Sequence, residues 1–234
     1  MTKSDAYTIT AEDTAAILAT TEEYSVYIRQ STDRHYAAII AELSQFDALS
    51  PIDRARHSIV FSIVSPKCPL ELNTIITPML VRAIMSNASE SEILAIFAEI
   101  GVGLQNQKTG RLLKNAAYIR TLTSGTLDRD IIAGLAGLSM KTASMATALY
   151  DQNAEVYTLD THMLRWLCKL AGLTIQTGTY NCSNDNRYRL IENHILNIVH
   201  NVAADVPIFL TQWAVWNDTG FGGEHKCHLP IFGL

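Results

Sequence analysis

What this 234-residue chain lacks narrows its class before any motif is considered. It has no run of about 18 or more apolar residues, so no membrane-spanning helix and no membrane partner are expected. Its first residues, MTKSDAYTITAEDT, contain no apolar core of the kind a secretory signal needs. These two absences predict a cytosolic protein, or a nuclear one in a eukaryote. The four cysteines (Cys68, Cys168, Cys182 and Cys227) are scattered and include no C-x-x-C pair. Basic residues are in deficit, with a formal net charge of −5, which argues against a chain that coats nucleic acid indiscriminately. A DNA enzyme with its basic groups gathered on one face is still compatible with that balance. No stretch reads as a convincing strand, as an internal repeat or as low-complexity sequence.

What is present is a helical chain with 48% hydrophobic and 18% charged residues, enough for one sizeable core or for two lobes sharing a cleft. Apolar periodicity predicts a helix from Ala11 to about Arg29, then a cap at Ser31 and Thr32 before a second. Pro51 suits a first helical turn, and RHSIVFSIVS is apolar enough to be buried. The segment Ser65-Pro66-Lys67-Cys68-Pro69 breaks the pattern before LELNTIITPMLVRAI resumes it. SESEILAIFAEI opens with a cap and acidic residues, GVGLQNQK reads as a turn, and TGRLLKNAAYIRTL as a helix. Lys108, Arg111, Lys114 and Arg120 would lie along this region, either as a solvated helix face or as a DNA-facing one. Helices are also expected from Leu127 to Leu135, Lys141 to Tyr150, Thr161 to Ala171, Arg187 to Ala204 and Pro207 to Asn217, for about ten in all.

The stretch from Ile131 to Arg165 organises the rest. The turn Ala136-Gly137-Leu138-Ser139-Met140 joins two helices tightly, and Gly137 can take the positive φ that so short a connection demands. The helix that follows opens with unpaired backbone N–H groups, and such groups attract phosphate. One small element can thus hold a DNA backbone without reading sequence.

LAGLSMKTA followed by VYTLDTHMLRWL resembles the helix-hairpin-helix DNA glycosylases, the endonuclease III-like superfamily. Their signature is roughly L-P-G-V-G-x-K-T-A and then V-D-T-H-V-x-R. Lys141-Thr142-Ala143, Asp160-Thr161-His162 and Arg165 match it in type, order and spacing. Ala136 stands where the family has Pro, and Ser139 where it usually has the second Gly.

The resemblance implies an all-α, two-lobed helical fold with a central cleft. One lobe would run from about 30 to 160, with the hairpin at 127–150, and the other would combine 1–30 with 161–234. Many relatives carry four closely spaced C-terminal cysteines binding an iron–sulfur cluster. That spacing is missing here, so no cluster and no metal are expected. A structural monovalent cation at the hairpin is compatible with the resemblance. The expected partner is double-stranded DNA, bound by a monomer. Gly137, Ser139 and Arg165 fall at DNA-contacting positions of the motif. Lys67 falls where relatives place a loop residue that fills the gap left by an extruded nucleotide, unless the loop is only a helix break made by two prolines.

Breaking a C1′–N bond develops positive charge on the sugar, and a nearby carboxylate stabilises it. Asp160 would cap the helix starting at Thr161 and, by the resemblance, serve as this carboxylate. Lys141 matches the lysine that attacks C1′ in glycosylases that also cleave the strand; otherwise it is a surface lysine on phosphate. Such a nucleophile must lose its proton, which a helix N-terminus favours. The target base must be flipped out of the duplex into a pocket with an aromatic face. Tyr150, Tyr157, Trp213, Trp216 and Phe221 are candidates, with Trp213 and Trp216 preferred. In the tail, His225-Lys226-Cys227-His228 falls short of the four ligands of a closed zinc site. His225 and His228 are instead candidates for base contact, or part of a plain polar tail.

Three functions follow from these residues. The first is a DNA glycosylase with AP lyase activity on a damaged or modified base. The second keeps the flipped base but joins an amine or amino acid to an activated thymine 5-methyl group, as in some viral hypermodification enzymes. The third is an inactive DNA-binding module, against which the retention of Lys141 and Asp160 speaks.

Overall fold

Many helix starts in this chain are set by short polar side chains. The computed structural model describes residues 6–43, 49–123, 126–174 and 178–219. Eleven helices lie among these residues, so the all-α class is observed. They are α1 (Ala11–Ala19), α2 (Glu22–Leu43), α3 (Pro51–Val64), α4 (Leu70–Met85), α5 (Glu90–Ile100), α6 (Gln105–Thr121), α7 (Arg129–Ala133), α8 (Met140–Tyr150), α9 (Thr161–Leu170), α10 (Asp185–Val202) and α11 (Ile208–Thr219). Reciprocal caps start α1 (Thr10 with Asp13) and α5 (Ser89 with Glu92). Ser50 caps α3, with Pro51 in its first turn. A two-residue parallel bridge pairs β1 (Tyr7–Thr8) with β2 (Tyr180–Asn181). No helix among the described residues is long and apolar enough to cross a membrane.

Two boundaries differ from the sequence reading. The first break falls at Thr20-Thr21, and α2 runs unbroken through Ser31 and Thr32. Both residues are buried, and Ser31 donates its hydroxyl to Asp218 at 2.6 Å instead of capping a helix. His35 and Arg34 join the same carboxylate, each at 2.8 Å, tying α2 to α11. The second difference is at α6, which starts at Gln105 and so carries Lys108 into the interior. Lys108 is 1% exposed, and its ammonium has no hydrogen-bond partner. Burial pushes it below the usual lysine range. The expected basic face is therefore not a continuous one, and Arg120 is also engaged, on the Ile84 carbonyl.

The chain divides into two compact units. The unit formed between residues 41 and 151 is built on α3, whose second half, Ser58–Val64, carries no charged residue and is buried throughout. Helices α4, α6 and α8 pack on it, α5 lies against α4 and α6, and α7 lies against α8. The core includes Ile59, Ile63, Leu80, Phe97, Leu112 and Ala146.

The other unit combines the residues up to Ile40 with those from Gln152 onward. There α9 packs on α1 and α11, and α10 on α1 and α11. The division falls near 151 in place of the expected 160, for a definable reason. Segment 156–160 has no helix or sheet to satisfy its backbone, and the second unit does so with side chains. Glu192 accepts from the Tyr157 amide (2.9 Å), Gln212 from Thr158 (2.8 Å) and Tyr188 from Leu159 (3.0 Å). Asp160 therefore belongs with α9, α10 and α11.

Candidate active site

In the unit built on α3, the hairpin is α7, a turn and α8. Gly137 takes φ +74°, as the short connection required. Arg111 packs over it, and a Cβ there would come within 3.1 Å of Nε. Asn115, buried in α6, pins the turn from beneath. Its Oδ1 accepts from the Ala136 amide and its Nδ2 donates to the Ala136 carbonyl, both at 3.1 Å. Ser139 is the residue before α8, in extended conformation, and its hydroxyl makes no cap bond. It stands 3.3 Å from the Thr142 hydroxyl. The first amides of α8 thus have no side-chain cap, which suits an anion. Lys141, in that first turn, is partly exposed and has no hydrogen bond or ion pair among the described residues.

In the other unit, Asp160 is the N-cap of α9, as the sequence implied. Its Oδ1 accepts from both the His162 and Met163 amides at 2.9 Å. Its Oδ2 receives the indole N–H of Trp216 at 3.2 Å. Trp216 stacks on Trp213, with ring centroids 5.3 Å apart and planes at 16°, and meets His162 edge-on. The result is a carboxylate oriented on one oxygen, with an aromatic pair beside the other.

No family model matches the chain, and no curated protein matches it in sequence. Solved structures do match in fold. The 8-oxoguanine DNA glycosylase of Thermotoga maritima superposes with a TM-score of 0.69 at 14% identity, covering 87% of this chain and 98% of that one. The 8-oxoguanine DNA glycosylase of Methanocaldococcus jannaschii superposes at 0.65 and 15% identity, covering 85% and 94%. The same archaeon's 8-oxoguanine glycosylase/lyase, in complex with a 15mer DNA containing 8-oxoguanine, gives 0.65 and 14%, covering 82% and 95%. This chain has the helix-hairpin-helix DNA glycosylase fold.

Within the glycosylase fold the other expected residues have mixed fates. Lys67 sits exposed at the tight turn between α3 and α4 with φ 53°, a conformation unfavourable for a residue with a side chain. Leu104, which the sequence reading did not single out, has the same property. It is 42% exposed at φ 59° just before α6. An apolar side chain between Gly103 and a polar helix start was its only signal in the sequence.

Arg165 is occupied within the protein: it donates to the Gly178 carbonyl and lies 5.5 Å over the Tyr180 ring. It braces the loop after α9 with one of its five N–H donors. Tyr157 is 0% exposed and is therefore a core aromatic rather than a platform for a base. Trp213 is 5% exposed behind the more open Trp216, so Trp216 is the reachable ring of the pair. Phe221, His225, His228 and the rest of the tail lie outside the described residues.

A monovalent cation at the hairpin would need converging carbonyl oxygens. Those of Leu135 and Ala136 each accept one hydrogen bond, from the Leu138 amide and from Asn115, and each keeps a second lone pair.

Proposed function

We propose that this chain is a DNA glycosylase with AP lyase activity, acting on a base extruded from duplex DNA. The observation that carries the reading is the state of the two charged groups named by the motif. Lys141 and Asp160 are both partly exposed at helix starts. The amine has no hydrogen bond or ion pair among the described residues, and the carboxylate keeps lone-pair capacity on Oδ2. In a glycosylase fold these are the groups the reaction needs.

In the proposed reaction the neutral amine of Lys141 attacks C1′. The C1′–N bond breaks, and the base leaves with its bonding electron pair and takes up a proton. Asp160 stabilises the positive charge that develops on the sugar. Loss of the ring oxygen's bond to C1′ then gives an imine between Lys141 and the opened sugar. Removal of a C2′ proton expels the 3′-phosphate and cuts the strand. The uncapped start of α8 and the Gly137 turn would hold a backbone phosphate. Lys67 and Leu104, two exposed side chains on strained turns, would occupy the space the base vacates. The neighbours' substrates make an oxidised purine such as 8-oxoguanine the first base to test.

Borohydride trapping on an 8-oxoguanine duplex tests the reading. It should yield a covalent protein–DNA adduct that disappears in Lys141→Ala, and Asp160→Asn should slow base release by roughly a hundredfold or more. Absence of adduct and of abasic sites across a panel of damaged duplexes overturns it. If thymine-modified DNA then gains mass with an added amine, the fold serves base modification instead.

A further inference from the structure

We infer that Trp216 is a positioning residue for Asp160, holding the carboxylate through its indole N–H; this rests on the glycosylase reading above. The contact is built from two elements in register. On α11, Gln212 and Trp216 are four residues apart and share a face, separated along the axis by about 6 Å. On the irregular segment before α9, Thr158 and Asp160 are two residues apart, at most about 7 Å. Gln212 accepts from the Thr158 amide at 2.8 Å, and Trp216 donates to the Asp160 carboxylate at 3.2 Å. One helix face therefore grips the segment at two matched points, the second of them the reacting group's own oxygen.

The chemistry of the carboxylate makes that second point matter. Oδ1 carries two backbone amides from the first turn of α9, which restrict the side chain's torsion. Oδ2 is the oxygen left to face the sugar. With one donor on it, rotation about the last bond is limited and one lone pair stays available. The donor is itself fixed: the Trp216 ring lies flat on Trp213, which is packed within α11 and the core. His162 closes on the ring edge-on at 6.0 Å. Tryptophan is a donor only, so it cannot take a proton from or give one to the reaction, and its action must pass through Asp160.

The distinction between this role and plain packing lies in the N–H. Trp216→Phe keeps an aromatic ring on Trp213 and removes the donor. Benzothienylalanine at position 216 keeps the bicyclic shape and also removes it, whereas 4-fluorotryptophan keeps both. Single-turnover base release with saturating 8-oxoguanine duplex should fall roughly ten- to a hundredfold in the first two and stay near wild type in the third. Affinity for DNA carrying a non-cleavable abasic analogue should be unchanged in all three, and so should the unfolding midpoint of the benzothienyl protein. Normal turnover in the benzothienyl protein, alongside a wild type that is active and an Asp160→Asn that is not, overturns the inference and leaves the glycosylase reading standing. A wild type inactive on every damaged duplex overturns both.

Discussion

Single residues in this chain carry conformational and solvation costs that packing alone does not explain. Lys67 holds a left-handed backbone at an exposed turn, which costs roughly 1 kcal/mol for a residue with a Cβ. Lys67→Gly removes that cost together with the side chain. Stability in urea should therefore hold or rise, while base release from duplex DNA falls. Equal activity in the variant would show that the turn is only a helix break.

Lys108 presents the opposite situation, a buried amine with no hydrogen-bond partner among the described residues. Its charged form is disfavoured in the fold, so the penalty is complete below the depressed native pKa. It shrinks as pH rises from there towards the ordinary lysine value. Lys108→Met should stabilise the protein at neutral pH by about 1–3 kcal/mol, and its advantage over wild type should diminish in alkaline buffer. Chemical denaturation at several pH values reads both effects. The position was visible in the sequence only as one of several basic residues on a helix. Its burial follows from α6 starting four residues earlier than the glycine-rich turn suggested.

At the scale of elements, the hairpin depends on a helix outside it. Asn115 lies on the buried stripe of α6 with Leu112, Ala116 and Ile119; it makes two hydrogen bonds to the turn through Ala136 and a third to the Arg111 carbonyl of its own helix. Asn115→Leu would fill the space but leave the Ala136 amide and carbonyl without those partners. A loss of about 1–3 kcal/mol is expected, along with weaker DNA binding as the Gly137 turn loosens. Thermal unfolding and an abasic-analogue binding assay check the two parts. If binding is normal despite lower stability, the turn's geometry is set by α7 and α8 alone. A polar residue at a core position of an amphipathic helix is a signal that sequence can offer, although it does not say what the amide grips. Glu192, on the buried stripe of α10, is a second case: its carboxylate serves the Tyr157 amide.

At the scale of the molecule, charge is unevenly shared. Between residues 41 and 151 acidic and basic side chains balance, so the whole net charge of −5 falls on the remainder of the sequence. On the glycosylase reading proposed above, attraction for DNA would come from a few exposed or partly exposed groups in this part of the chain, chiefly Lys67, Arg111, Lys114 and Lys141. Each phosphate neutralised contributes about −0.9 to the slope of log affinity against log salt, so the slope should be near −4 or shallower. Titrations of a short duplex at several salt concentrations measure it. A slope much steeper than this would mean that basic groups elsewhere bind DNA, and one near zero would count against phosphate contact altogether.

The motif residues made the fold readable without any coordinates. A hairpin glycine, a lysine one turn in and an aspartate at the next helix start are local requirements, fixed by backbone φ, helix ends and chain spacing. Tertiary structure alone decided which polar groups are spent inside the protein. Arg165 gives a donor to a carbonyl and lies over a ring, Tyr157 goes to the core, and Trp216, expected only as a face for the base, donates to the carboxylate. Such assignments depend on which helix faces meet, and a register between distant segments is not written in the spacing of either one.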